Sequence, residues 1–307
     1  MTTVGEVMTP NPIVAQVPGS RSEVLRTMVK HNLTGLPVIK RSDGSLAGLI
    51  TRQDIFNKPD EDQLALLMQR DPPTISTKDL VESAAQVFVK NNIHHLAVVD
   101  KNRLVGILTP ADLLQVLEKR NLKDPVENYI NSTCVPIYQE APLAVALVSL
   151  KVSKTSALAV LDETGHLSGI VTDRDIFNSS YVNGKAVVRD LKIGEEENEW
   201  TWEGLRNVVK LWYEVSKNEL PGVPVSDIMI KSPVTVFRKT TVSEAARIMR
   251  KNDFGQLPVR DAKDNLLAMI YELDVISALT GETTWMSYRR YVSALSGEKT
   301  ALSGDKE

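Results

Sequence analysis

Gly169-Ile170-Val171-Thr172-Asp173-Arg174-Asp175 is an apolar run closed by a threonine, with a carboxylate three positions further on. The run predicts a short buried strand. Thr172 predicts the N-cap of the helix that follows, its hydroxyl taking a backbone N–H of the first turn. Asp175 is placed to reach back and complete a capping box. One such turn is a helix start and no more. The chain holds two further copies, Gly48–Asp54 (GLITRQD) and Gly106–Asp112 (GILTPAD), and a degraded one, Ala268–Asp274 (AMIYELD).

The four aspartates stand at 54, 112, 175 and 274, with separations of 58, 63 and 99. Two separations near 60 mark a repeat, and the third predicts an insertion of about 39 residues between the third and fourth copies. Outward from each closing turn the same order recurs. A short apolar turn (Val4, Val7, Met8 in the first copy) is broken by prolines and followed by a short strand. A helix comes next, with Val24, Leu25, Met28 and Val29 on one face in the first copy and Val81, Ala84, Ala85 and Phe88 in the second. Two strands then flank a tight turn, such as Asp43-Gly44. Pro110 directly after Thr109 fits the first helical position, where its missing N–H costs nothing. Each unit thus reads strand-helix-strand-strand-helix in about 55 residues, too few to bury a comfortable core alone. Pairing one with two and three with four predicts two pseudo-symmetric modules. The expected boundaries are 1–60, 61–121, 122–178 and 224–281 for the repeats, 179–223 for the insertion and 282–307 for a tail.

Composition narrows the function classes. At 307 residues with 42% hydrophobic and 24% charged residues the chain is an ordinary globular one with room for about two domains. The single Cys134 excludes an internal disulfide and fits a reducing cytoplasm. No apolar run approaches the roughly 20 residues of a membrane span. The opening MTTVGEVMTP has no signal-peptide pattern. A net charge of −3 gives no broad basic surface for nucleic acid. No nucleophile–base pair, Walker loop, Rossmann fingerprint or metal-ligand spacing is visible, so a non-enzymatic protein without a bound metal is expected.

The repeat order, the opening Met-Thr-Pro type turn and the GhhTxxD closing turn resemble the CBS domain (cystathionine-β-synthase type). Tandem pairs of that domain are Bateman modules. Four in one chain resemble the stand-alone archaeal proteins similar to the gamma subunit of AMP-activated kinase. The resemblance implies an α/β fold of four paired repeats. It also implies adenine nucleotides (AMP, ADP or ATP) in clefts between paired units, with S-adenosylmethionine or another adenosyl ligand as the alternative. In that family the closing-turn aspartate accepts both ribose hydroxyls, and a basic residue in the turn meets phosphate. Carried over, the implied set is Thr172, Arg174 and Asp175; Thr51, Arg52 and Asp54; and Thr109 and Asp112. His94 and His95 are implied to supply the charge that Pro110-Ala111 lacks at the second turn. In the fourth unit Ala268 replaces glycine and Tyr271 replaces threonine, and a tyrosine there is expected to crowd a ribose. The plain alternative for each turn is a capping box with no ligand.

The insertion carries Glu195-Glu196-Glu197 and then Trp202, Leu205, Val208, Val209, Trp212 and Val215 at spacings of three and four, the pattern of an amphipathic helix. It predicts packing on the chain's own modules or a partner-binding face. The tail, with Trp285, Tyr288 and Tyr291, reads as a docking helix followed by a disordered end. The expected function is a cytoplasmic nucleotide sensor, with no membrane involved, that acts on a protein or ribonucleoprotein partner as a homodimer. The alternative is a constitutive scaffold.

Overall fold

The computed structural model describes residues 1–176, apart from 32, 59, 60 and 102, together with 222–281. The insertion helix, its acidic run and the tail, all read from sequence, lie outside the described residues.

Within them the repeat is plain. The first unit has α1 (Val4–Val7), β1 (Thr9–Pro10), β2 (Ala15–Val17), α2 (Arg21–Lys30), β3 (Gly35–Lys40), β4 (Leu46–Thr51) and α3 (Arg52–Asn57). The second has α4 (Leu64–Leu67), β5 (Gln69–Arg70), β6 (Thr74–Ser76), α5 (Val81–Asn91), β7 (Leu96–Asp100), β8 (Arg103–Leu108) and α6 (Pro110–Arg120). The third has a 3-10 turn (Val126–Asn128), β9 (Pro136–Tyr138), α7 (Leu143–Ser153), β10 (Ala157–Leu161), β11 (Leu167–Thr172) and a helical turn at 173–176. The fourth has a 3-10 turn (Val225–Asp227), β12 (Ile230–Lys231), β13 (Val236–Phe237), α8 (Val242–Asn252), β14 (Gln256–Arg260), β15 (Leu266–Tyr271) and α9 (Glu272–Ile276). In each unit the last two strands form an antiparallel hairpin, and the short strand before the long helix pairs with it in parallel.

One feature departs from four self-contained units. The opening segment of each unit belongs to its partner. β1 pairs with β8 of the second unit, β5 with β4 of the first, and β12 with β11 of the third. The opening turns follow the same rule: Val4 N–H donates to Asp79 O, Leu64 N–H to Gly19 O, Val126 N–H to Thr240 O and Val225 N–H to Ala141 O. The crossing explains the glycine of the closing turn. A Cβ at Gly48, Gly106 or Gly169 would stand 2.9, 2.4 or 2.5 Å from the sulfur of Met68, Met8 or Met229 on the incoming segment. The fourth unit carries Ala268 at this place. Its sheet has three strands, and the third unit's opening segment forms no ladder with β15.

The cores show how the pairs join. One apolar cluster runs without a break through the second and fourth units, from Phe88, Leu96 and Leu113 to Met249, Leu257 and Ile276. There α6 packs on α8 and α9. Ser243 on α8 seals the contact. Its hydroxyl donates to Leu117 O at 2.7 Å and accepts Leu122 N–H at 2.7 Å, so it satisfies backbone groups at the end of α6. The first and third units keep separate cores.

Candidate functional site

The strand-to-helix turns are built as the sequence predicts. Thr51 N–H and its hydroxyl donate to Asp54 Oδ2 at 2.8 and 2.6 Å, and Asp54 N–H returns to Thr51 Oγ1 at 3.2 Å. Thr172 and Asp175 repeat this at 2.9, 2.7 and 3.2 Å. Thr109 N–H and hydroxyl reach Asp112 Oδ2 at 2.8 and 2.9 Å. Each threonine is thereby fixed, and each aspartate keeps its other oxygen for a second task. Asp54 Oδ1 takes Gln69 Nε2 at 3.0 Å, from the segment that crosses over from the second unit. For Asp112 and Asp175 no hydrogen bond to Oδ1 occurs among the described residues. Burial raises the Asp112 carboxyl above its ordinary value, against the pull of the Thr109 hydrogen bonds.

The fourth turn is closed. Tyr271 N–H donates to Asp274 Oδ2 at 3.0 Å, and Ser132 hydroxyl fills Oδ1 at 3.0 Å. Asp274 is 6% exposed, and burial pushes its carboxyl up to about 6. The Tyr271 hydroxyl crosses the module to Ala157 O at 3.3 Å. Its ring packs in an apolar seam with Cys134, Ala157, Ala159, Ile170 and Met269. The tyrosine therefore occupies the space between the third and fourth units, and both carboxylate oxygens beside it are already engaged.

The two histidines separate. His95 sits over Gly35, where a Cβ would lie 2.9 Å from its ring, and its Nε2 is 2.9 Å from Thr34 Oγ1. It faces the first turn rather than the second: the Asp54 charge acts on it, while burial and the neighbouring His94 lower it to about 4. His94 points to the other module, with Nε2 3.6 Å from Glu272 Oε1, and burial lowers it too. The Thr109–Asp112 turn has neither histidine against its carboxylate.

The basic turn residues also meet across modules. Arg52 is held below its ordinary value by burial and by the Arg174 charge, with Asp173 opposing. Arg174 Nη1 lies 3.9 Å from Asp253 Oδ2, an exposed contact that contributes little. Asp173 is raised by burial, with the two guanidinium charges pulling it down. Gln69, Asp173 and Glu272 belong to this constellation and carry no mark in the repeat pattern. Gln69 becomes visible only once the opening segment is known to cross.

Glu272 yields a pH prediction. Burial, helped by Asp253, pushes it from 4.5 to about 7. The folded protein keeps a proton there that the unfolded chain has released, so stability falls as pH rises from about 4.5 to 7. Glu272→Gln removes that slope. At pH 8 the variant is expected to be more stable than the parent by roughly 1–3 kcal/mol, and at pH 4.5 nearly equal. Urea unfolding at both pH values measures it, and an unchanged difference between them refutes the assignment.

The CBS domain model matches residues 4–61, 63–119, 126–181 and 225–281, well over half of the chain. The chain belongs to the CBS domain family, with four copies paired into two Bateman modules. A CBS domain-containing protein of Dictyostelium discoideum is 32% identical over 158 residues, 52% of this chain and 92% of that protein. MJ1225 of Methanocaldococcus jannaschii is 24% identical over 191 residues, 56% of this chain and 68% of that protein. Its crystal structure, described as that of a putative archaeal homolog of g-AMPK, has a TM-score of 0.68 at 19% identity and covers 90% of this chain and 99% of its own. A conserved protein of Pyrococcus horikoshii superposes with a TM-score of 0.66 at 25% identity, over 91% and 100% of the two chains. Among the described residues no helix is long and apolar enough to cross a membrane, and no cluster of three or more His, Cys, Asp and Glu could hold a metal ion.

Proposed function

We propose that this protein binds adenine nucleotides in the clefts of its paired CBS units and that occupancy alters its contacts with a macromolecular partner, without catalysis. The observation that carries the reading is the contrast between turns. Asp175 and Asp112 each present a carboxylate oxygen with no partner among the described residues, while Asp274 has both oxygens engaged. An ionised carboxylate only accepts, so it suits the two hydroxyls of a ribose. The helix N-termini at Thr51, Thr109 and Thr172 favour a phosphate. Arg52 and Arg174, near each other across the modules, lend positive charge on the same side. The cross-module pair of His94 with Glu272, and the Arg174 charge acting on Arg52, give a ligand the means to change how the modules meet, provided its affinity differs between the two arrangements.

Isothermal titration of the full chain with AMP, ADP, ATP and S-adenosylmethionine tests the proposal. Saturable binding of at least one nucleotide, with fewer than four equivalents per chain, is expected. Failure of all four ligands to bind saturably overturns it.

A further inference from the structure

The long helices of the four repeats can be superimposed residue by residue, and one differs in kind. On α7 the exposed positions 145, 148 and 152 are all valine. The corresponding residues are Glu23, Arg26 and Lys30 on α2, Ser83, Gln86 and Lys90 on α5, and Glu244, Arg247 and Lys251 on α8. Three repeats thus present polar side chains, and the third presents an apolar stripe. The spacing of three and four places the valines on one face of the helix. They are 48%, 58% and 78% exposed, so the core of their own unit does not bury them. Scattered exposed apolar residues need no explanation, but three aligned ones, each polar in every sister repeat, mark a face that something covers.

We propose that the occupant is the chain's own insertion, residues 179–223, seated through its Trp202, Leu205, Val208, Val209, Trp212 and Val215 face. Two facts select it. The insertion starts and ends at this repeat: it leaves the described residues after Ile176 and re-enters at Gly222. It returns beside the helix itself, where Leu143 N–H at the start of α7 donates to Val223 O at 3.1 Å and Pro142 bridges Pro224. Its returning limb is therefore tied to the end of the stripe. Reach is ample, since a helix of about 20 residues spans about 30 Å and α7 is about half that length. The apolar face has the chemistry the valines need, and the other three repeats carry neither the stripe nor an insertion.

The test replaces the stripe with the residues of the fourth repeat, Val145→Glu, Val148→Arg and Val152→Lys, in the full chain. These positions are exposed and helical, so the repeat keeps its fold, which an unchanged far-ultraviolet spectrum checks. Hydrogen exchange over residues 200–215 and tryptophan emission read the insertion, and light scattering reads the mass. Protection in the parent that is lost in the variant, with emission moving to the red and the mass unchanged, is the expected result. A second variant, Trp202→Ser with Trp212→Ser, is expected to raise exchange over the same segment from the other side of the contact. Protection that is absent in the parent, or untouched by the valine replacements, overturns the proposal. A parent dimer that the valine replacements dissociate also overturns it, because a second copy then covers the stripe.

Discussion

Asp175→Ala is expected to weaken nucleotide binding at its cleft by about 100-fold or more, enough to remove one equivalent from a titration with AMP. The carboxylate is positioned by two hydrogen bonds from Thr172 to its Oδ2, backed by the Asp175 N–H bond to Thr172 Oγ1, and its Oδ1 stands free of any partner among the described residues. Two bonds from ribose hydroxyls to an anion are lost together, and each is worth roughly 1.5–3 kcal/mol. Part of that is offset by water that refills the cleft. Thr172→Ala separates the two roles of the turn. It removes a cap worth roughly 1 kcal/mol of stability and leaves the acceptor, so affinity drops far less. Asp274→Ala is expected to leave the titration unchanged. Equal loss from Asp274→Ala and Asp175→Ala would contradict the ranking of the clefts.

The largest effect on stability belongs to Phe88→Ala. Phe88 is completely buried in the cluster shared by the second and fourth units. Truncation of such a ring costs roughly 3–5 kcal/mol through lost burial and the cavity left behind. Because the cluster is continuous, the two units are expected to lose stability together rather than in separate steps. Urea unfolding followed by circular dichroism measures the loss. Val89→Ala, next to it and 37% exposed, serves as the control, with a change within about 0.5 kcal/mol. A loss below about 1 kcal/mol for Phe88→Ala would show that this core is not the joint.

Much of this molecule was legible in its sequence because the repeat supplied four independent readings of one pattern. The threonine caps, the apolar face of α5 and the hairpins after it stand where strand and helix periodicity put them, since those signals arise from neighbours in the chain. The misleading fourth turn was legible too: Tyr271 and Ala268 depart from the pattern, and the structure shows a filled seam and a missing strand at those places. What periodicity does not carry is which sheet receives a segment. A strand of two residues such as Gln69–Arg70 pairs equally well in either direction on local evidence, so its move to the first unit, and with it the Gln69 contact to Asp54, stayed hidden. The same holds for His95. Its place in the second unit points to the second turn, yet its ring sits over Gly35 in the first.

The crossing of the opening segments puts the genetic repeat and the physical building block out of phase. Residues 1–60, cut out as one repeat, would carry a segment made for another sheet and lack the one that completes their own. The edge of β4 beside Gly48 would then be bare, an open row of backbone donors and acceptors that invites pairing with other chains. The smallest piece that completes its own sheets is a pair, ending near residue 122, though a cut there also opens the core that the second unit shares with the fourth. Duplication of this motif one copy at a time would have left a loose end at each step.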